Sequence, residues 1–124
     1  MSGILDGINI LDLSRILAGP YTAQMLSDLG ANITKIEAPW GDDTRGWGPP
    51  FATDFDGERV AAYFLCCNRG KTILQINLKE EKDRLMELIE WADVIVENFK
   101  PGTLERLIGS CLLYTSDAAD DCEG

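Results

Sequence analysis

The residues best suited to chemistry in this sequence are basic side chains near the ends of predicted strands and helices. Five of the eleven basic residues occupy such positions: Arg69, Lys71, Lys79, Lys100 and Arg106. Cations and the free N–H groups of a helix start both attract phosphate groups. Apolar walls for a flat aromatic base are available at Ile16, Leu17, Ile76 and Leu78. Together these residues are suited to a phosphate-bearing nucleotide.

Several familiar chemistries are excluded by residue type or spacing. The chain has no histidine, so neither a His-based triad nor a His-ligated zinc site can form. It also lacks the GxGxxG and GxxxxGK[ST] motifs of dinucleotide and P-loop sites. Cys66 and Cys67 fit no CxxC or metal-knuckle spacing and are interpreted as buried, small apolar residues. Asp42 and Asp43 are interpreted as solvated turn residues, so no metal site is predicted.

Length and composition indicate one soluble domain. The chain has 124 residues, of which 45% are hydrophobic, which is ordinary for a globular protein. Its net charge of −10 argues against a nucleic-acid partner, which would need a basic face. No apolar run approaches the roughly 20 residues of a membrane span, and residues 1–6 lack the features of a signal peptide. A cytoplasmic protein without a membrane partner is therefore expected.

Hydrophobic patterning predicts strands that alternate with helices. Predicted strands cover residues 8–13, 32–37, 72–78 and 93–98. A first helix is expected to open at Gly19-Pro20 and to end at Gly30. A second helix is expected to be capped by Asn77 with Glu80 in a capping box. Its apolar stripe consists of Leu85, Leu88, Ile89 and Ala92.

The remaining segments are less regular. A third helix is expected to start at Pro101, with Asn98 as a possible cap. Residues 40–55 show no helical period and are predicted to form a long loop, in which Arg45 and Trp47 serve loop packing. The pattern leaves helix or strand open for residues 63–65. The whole arrangement is typical of an α/β domain with a largely parallel sheet.

Ligands of such sheets bind beyond the carboxyl ends of the strands. The segments expected to form a site are therefore residues 14–19, 37–47, 77–79 and 98–102.

The last fourteen residues depart from the rest of the sequence. Residues 111–120, CLLYTSDAAD, resemble the translation of a common transposon-derived sequencing adapter. Residues 111–124 are therefore predicted to be a non-native tail, although a genuine acidic tail is the alternative. This tail holds four acidic residues and no basic ones, so without it the net charge changes from −10 to −6.

The remaining sequence resembles one family through a series of short motifs. They are DGINILDLSR at 6–15, LAGP at 17–20, LGAN at 29–32, KIE at 35–37, GDDTR at 41–45, WGPP at 47–50, NRGK at 68–71, ADV at 92–94, ENF at 97–99 and PGTLER at 101–106. In this order they resemble the start of class III CoA-transferases, the CaiB/BaiF and formyl-CoA transferase group. The resemblance covers residues 4–108 and identifies residues 1–110 as the N-terminal part of the family's Rossmann-like large domain.

The resemblance implies an enzyme that transfers coenzyme A from an acyl-CoA to a free carboxylic acid. In the family an aspartate attacks the thioester, a form of covalent catalysis. That aspartate is expected beyond residue 124, so no residue here is assigned as catalytic. The resemblance also implies an interlaced homodimer and, from residues 41–51, short dicarboxylate substrates such as succinate.

The family's coenzyme A contacts map onto eleven positions of this sequence. They are Ile16, Leu17, Ala38, Ile76, Asn77, Leu78, Lys79, Asn98, Phe99, Lys100 and Arg106. Ala38 stands where some members have a nucleotide-binding arginine, and Lys71, Lys79 or Arg45 is a possible replacement. Structural alternatives remain for several positions: Lys79 as a solvated residue, Arg106 paired with Glu97 or Glu105, and Ile16-Leu17 as core.

Two further functions fit the sequence. One is a binding module that holds coenzyme A or an adenine nucleotide without chemistry. The other is a racemase relative that shares the same N-terminal segment and acts on an acyl-CoA.

Overall fold

The structure, a computed structural model, describes residues 3–109. The helices are α1 (Ala18–Asp28), α2 (Ala62–Leu65), α3 (Lys82–Trp91) and α4 (Thr103–Ile108), with a 3₁₀ helix at Asp43–Gly46. The strands are β1 (Asn9–Asp12), β2 (Asn32–Glu37), β3 (Phe51–Thr53), β4 (Arg59–Ala61), β5 (Thr72–Gln75) and β6 (Val94–Val96). None of the helices within residues 3–109 has the length and apolar character needed to cross a bilayer.

Four of these strands form one parallel sheet in the order β5-β2-β1-β6. The register places Asp12 beside Lys35 and Leu11 beside Ile95. The chain thus moves outward from β1 to β2 and β5, and then crosses to the other side of β1 to form β6. This is the strand order of the first half of a Rossmann-type sheet, whose switch point lies between β1 and β6. The predicted α/β class is confirmed.

Apolar residues cover both faces of this sheet. Side chains of successive strand residues point to opposite faces, and the adjacent Ile10 and Leu11 accordingly enter different clusters. Leu11 packs with Ile36, Ile76 and Leu85, on the side where α3 and α4 lie. The other cluster consists of Ile10, Ala23, Ala31 and Ile33, which joins α1 to the sheet. The predicted stripe on α3 is confirmed, since Leu85 is fully buried and Leu88, Ile89 and Ala92 pack against the same cluster.

The predicted capping box at Asn77 and Glu80 is wrong. Helix α3 begins at Lys82, and no side chain caps its first turn. Asn77 instead stabilises the preceding turn, where its Oδ1 accepts from the Lys79 N–H at 3.1 Å. The carboxylate that accepts from the Asn77 N–H belongs to Glu81, at 2.9 Å. Strand β5 also ends at Gln75, three residues before its predicted end.

The predicted loop at 40–55 contains regular structure. Its first part forms the 3₁₀ helix, and its end forms β3, which pairs antiparallel with β4 in a separate hairpin. Residues 63–65, which the pattern left undecided, are helical in α2. Trp47 packs edge-on against Tyr63 with ring centroids 5.4 Å apart, and the Arg45 guanidinium lies 3.9 Å from the Phe64 ring centroid. The loop-packing interpretation of Arg45 and Trp47 is thereby confirmed.

Candidate functional site

The predicted contact residues lie mainly at one edge of the parallel sheet. Four loops leave the carboxyl ends of β1, β2, β5 and β6, and we call this surface the carboxyl edge. Ten of the eleven predicted positions follow these strands: Ile16 and Leu17 after β1, Ala38 after β2, Ile76 to Lys79 after β5, and Asn98 to Lys100 after β6. The eleventh, Arg106, lies one turn inside α4.

The loops after β1 and β6 are joined at the switch point. Asn98 Oδ1 accepts from the Arg15 N–H at 3.0 Å, and Asn98 Nδ2 donates to the Arg15 carbonyl at 2.8 Å. Beyond the ends of β1 and β6, the side-chain amide of Asn98 therefore makes the hydrogen bonds that backbone groups make within the sheet. Asn98 is not the cap of α4 that the sequence suggested, because Gly102, at φ 87°, precedes that helix and no side chain caps it.

Ile16 has an unusual backbone conformation at this junction. Its φ is 76°, in the left-handed region that β-branched residues rarely enter. The Ile16 N–H points to Asp42 Oδ2 at 3.4 Å. Leu17 follows, half-exposed, directly before the uncapped start of α1. The sequence named both residues, but it gave no sign of the backbone strain.

A buried polar cluster underlies the loop after β1. Asp12 accepts from both the N–H and the hydroxyl of Ser14. Lys35, on the neighbouring strand, donates to the Ser14 carbonyl at 2.9 Å and pairs with Asp42 at 3.2 Å. The side chains of Asp12, Lys35 and Asp42 are at most 1% exposed. Neither Asp12 nor Lys35 was among the predicted site residues, although charged residues inside predicted buried strands were a usable signal.

Asp42 belongs to this cluster and is not the solvated turn residue that the sequence suggested. Thr44 donates to Asp42 Oδ1 through its N–H at 3.0 Å and through its hydroxyl at 2.8 Å. Burial alone would raise the pKa of Asp42, but the Thr44 bonds and the Lys35 charge together hold it below its ordinary value. The carboxylate is therefore a structural anion that links the 3₁₀ helix to β2.

The prediction that Lys71 binds phosphate is wrong. Its ammonium group is fully buried and donates to Asp12 at 2.8 Å, to the Pro20 carbonyl at 3.0 Å and to Asn68 at 2.9 Å. Burial lowers the pKa of Lys71, and the nearby Asp12 carboxylate only partly opposes this effect. Because the amine is buried and bonded to these three partners, Lys71 cannot replace an arginine at position 38.

Two other basic candidates are also engaged. Arg45 Nε pairs with Glu37 at 2.9 Å, and Arg69 pairs with Asp28 at 2.7 Å on an exposed surface. Three cations of the predicted site stay exposed: Lys79, Lys100 and Arg106. Within residues 3–109 none of these three forms an ion pair.

Arg106 folds back along its own helix. Its Nη2 donates to Thr103 Oγ1 at 3.1 Å, so the guanidinium lies beside the first turn of α4. The suggested pairing with Glu97 or Glu105 is not formed. The guanidinium thus lies at the N-terminal end of α4, beside Thr103 and Gly102.

Sequence comparison identifies the family. Residues 5–110 match the sequence profile described as CoA-transferase family III. The chain belongs to CoA-transferase family III. A succinyl-CoA:mesaconate CoA-transferase from Haloarcula marismortui is 48% identical over 106 residues. A succinate–glutarate CoA-transferase from Agrobacterium fabrum is also 48% identical over 106 residues.

The solved structures agree with this assignment. A CaiB/BaiF family protein from Brucella suis superposes with a TM-score of 0.82 at 48% identity, covering 86% of this chain and 29% of that protein. The Haloarcula alignment covers 84% of this chain and 26% of the relative, and the Agrobacterium alignment 82% and 26%. The chain therefore spans about a quarter of the length of these family III relatives.

Proposed function

We propose that this chain is the coenzyme A-binding N-terminal part of an acyl-CoA:carboxylate CoA-transferase. One observation carries the proposal: ten of the eleven contact positions follow the carboxyl ends of four parallel strands, on both sides of the switch point. This edge is where open α/β sheets bind nucleotides. The family assignment supplies the chemistry, and the geometry supports the place of binding.

The exposed cations are suited to the phosphates of coenzyme A. Lys79, Lys100 and Arg106 lie on the loops after β5 and β6 and on the helix that follows. A diphosphate and a 3′-phosphate require several such donors, because phosphate groups bind through charge-assisted hydrogen bonds. Ala38 contributes no charge, and Lys79, on the neighbouring loop, is the cation we assign in its place.

Apolar side chains can flank the adenine. Leu17 is half-exposed beside the Ile16 turn, and Leu78 is partly buried on the loop after β5. Ile76 is fully buried and shapes that loop from below. We therefore assign the wall to Leu17 and Leu78, and a supporting role to Ile76.

The nucleophile of the reaction lies, in this proposal, beyond the present chain. An aspartate carboxylate attacks the acyl-CoA carbonyl, which forms a mixed anhydride and releases the CoA thiolate. The thiolate then attacks the aspartyl carbonyl, which releases the donor carboxylate and leaves an aspartyl-CoA thioester. The acceptor carboxylate repeats these two steps in reverse. The buried carboxylates of Asp12, Glu37 and Asp42 each hold a cation, so none is available for this attack.

The names of the relatives support a proposal for the substrates. Both relatives described above are CoA-transferases whose names pair succinyl-CoA or succinate with a second dicarboxylate, mesaconate or glutarate. We propose a short dicarboxylate as acceptor and succinyl-CoA as donor for the complete protein. We further propose an interlaced homodimer, with residues 1–110 as part of its large domain and residues 111–124 as a non-native tail outside the described residues.

The first experiment is sequencing of the source gene beyond codon 110, followed by expression of the complete protein. The proposal expects an open frame that encodes the aspartate and a protein that exchanges CoA between succinyl-CoA and a dicarboxylate. A stop codon near position 124 would favour the binding module. Epimerisation of an acyl-CoA without exchange would favour the racemase relative.

The second experiment tests the site by calorimetric titration of the complete protein with coenzyme A. Lys79→Ala and Arg106→Ala are each expected to weaken binding about tenfold, a loss of about 1.4 kcal/mol. Arg59→Ala, which removes an exposed charge from the hairpin, is the matched control and should bind normally. Equal affinities for all three variants would refute the assigned phosphate site.

A further inference from the structure

Two adjacent thiols lie outside the carboxyl edge. The sequence interpretation of both as buried is wrong for one of them, because Cys66 is exposed while Cys67 is buried. The two Sγ atoms are 3.5 Å apart. The contact lies at the C-terminal end of α2.

Cys66 closes α2 with helical backbone angles, φ −69° and ψ −17°. The Cys66 N–H continues the helical pattern by donating to the Ala62 carbonyl at 3.0 Å. The Cys67 N–H donates to the Phe64 carbonyl at 3.3 Å, one residue tighter than in an α-helix. Asn68 Nδ2 holds the same Phe64 carbonyl at 2.8 Å and is itself bound to Lys71 through Oδ1. The Cys66 thiol donates to the Tyr63 carbonyl at 3.1 Å, so this sulfur is also held at the end of α2.

The sulfur separation matches a chelate. Two sulfurs bonded to one tetrahedral or pyramidal centre through bonds of about 2.3 Å lie roughly 3.5 to 3.8 Å apart. A linear two-coordinate ion with the same bonds would need about 4.6 Å. The pair is thus preorganised for a single bent or pyramidal soft centre.

The coordination number selects the ligand. Thiolates prefer soft, thiophilic centres, but a structural zinc ion needs four protein ligands. Within residues 3–109 no group of three or more His, Cys, Asp or Glu side chains could hold a metal ion. A trivalent organoarsenical carries its own carbon substituent and needs only two protein sulfurs.

We infer that Cys66 and Cys67 form a bidentate binding site for a trivalent organoarsenical, R–As(OH)₂. The exposed Cys66 sulfur attacks arsenic first, and the buried Cys67 sulfur then closes the ring. Two As–S bonds form and two As–O bonds break. The two thiol protons leave with the hydroxides as two water molecules, and arsenic keeps its oxidation state.

The order of attack follows from burial. Burial, with the neighbouring Cys66 thiol, raises the pKa of Cys67 to about 11, so Cys67 is protonated at neutral pH. A protonated thiol reacts slowly with free arsenical. Once Cys66 has bonded to the arsenic, the attack by Cys67 is intramolecular, and proximity makes such a reaction much faster. The site therefore needs access only from the exposed Cys66 side.

The test uses the 124-residue chain with Cys111→Ser and Cys122→Ser, so that only this pair of thiols remains. The probe is hydrated phenylarsine oxide, and binding is followed by intact-protein mass spectrometry and a thiol count. We expect one arsenical per chain, loss of both free thiols, retention of the adduct against excess glutathione, and release by a small dithiol.

Cys66→Ser in the same background is the matched variant, because its side chain is exposed and its replacement should leave the thermal melt unchanged. A single thiol should bind the probe at least tenfold more weakly and lose it to glutathione. Equal affinity in this variant, or two arsenicals bound per chain, would overturn the inference. The measurement involves no coenzyme A, so a negative result would overturn the arsenical site without bearing on the proposed function.

Discussion

Ile16 joins a strained backbone to the proposed nucleotide site. A left-handed φ costs an ordinary L-residue about 1–2 kcal/mol, and residues held in this way concentrate at functional sites. The surrounding bonds impose the conformation at φ 76°: Asn98 holds the preceding Arg15 backbone, and Asp42 faces the Ile16 N–H. The loop geometry is thus fixed before any ligand arrives.

This strain predicts an unusual mutational response at position 16. Ile16→Asn should raise the free energy of unfolding by about 1 kcal/mol relative to Ile16→Val, because asparagine tolerates the left-handed region and valine, also β-branched, does not. Urea denaturation of both variants measures the difference. If valine proves as stable as asparagine, the backbone of Ile16 is not strained in solution.

Asp42 makes the cluster sensitive to acid. Its pKa is lowered in the folded state, so its stabilising contribution is complete above the unfolded value of 3.8 and is lost as pH falls through the folded pKa. Asp42→Asn should cost about 3 kcal/mol at pH 7, because it leaves the buried Lys35 without its counter-ion. The loss should begin to shrink as pH falls below the unfolded value of 3.8, and it should disappear only once pH has fallen through the lower folded pKa.

Denaturant midpoints measured between pH 3 and pH 7 check this prediction. Asp43→Asn is the control, since its side chain is exposed in the same 3₁₀ helix and should change stability little. A deficit in Asp42→Asn that stays constant across this range would show that the carboxylate charge does not stabilise the fold.

At the scale of elements, Gly19 sets how closely α1 approaches the loop after β1. A Cβ added at Gly19 would overlap the side chain of Ser14, which Asp12 holds in place. Glycine to alanine in a helix usually stabilises by about 0.5–1 kcal/mol. Here we expect Gly19→Ala to destabilise by about 1–3 kcal/mol through overpacking.

Thermal unfolding of Gly19→Ala beside Gly46→Ala measures this effect. Gly46 ends the 3₁₀ helix, and an added Cβ there meets no atom within 4 Å, so its variant should melt within a degree or two of the parent chain. Equal melting temperatures for the two variants would mean that α1 can move away from Ser14 at little cost.

The sequence predicted the elements that depend on local patterns. The strand at 32–37 and the stripe on α3 agree with the structure, because both are set by hydrophobic period. The capping box was wrong because Glu80 and Glu81 are adjacent carboxylates, and turn geometry decides which one reaches Asn77. The hairpin at 51–61 depends on pairing of two three-residue strands, which are too short for periodicity to detect.

The candidate site was predictable in position but not in charge. Parallel strands place their carboxyl ends together, so the loops after them could be named from the strands alone. Which cations remain exposed depends on contacts between distant residues, as in the pairing of Lys71 with Asp12 across 59 positions. A residue type near a strand end therefore indicates a candidate, and only the tertiary structure shows whether it is free.

At the scale of the whole molecule, the described residues leave apolar surface uncovered. Tyr21 and Met25 on α1, with Leu17 directly before it and Leu29 directly after it, recur every fourth residue, and each is between 47% and 53% exposed. The sheet also ends at β5 and β6, whose outer edges pair with no strand among residues 3–109. Parallel sheets normally have both faces and both edges covered. The relatives are about four times longer than the aligned segment. Their additional residues are available to cover surface that stays exposed on residues 3–109.

The isolated 124-residue chain should therefore self-associate through α1 with a second copy. Sedimentation velocity across a concentration series is expected to show dimers or larger species. Tyr21→Gln combined with Met25→Gln should shift the distribution toward monomer, because it removes the centre of the apolar stripe. Trp40→Gln, which removes an exposed aromatic residue outside α1, is the control and should leave association unchanged. A chain that stays monomeric at every concentration and melts cooperatively would contradict the prediction, because the exposed stripe would then be tolerated in water without a partner.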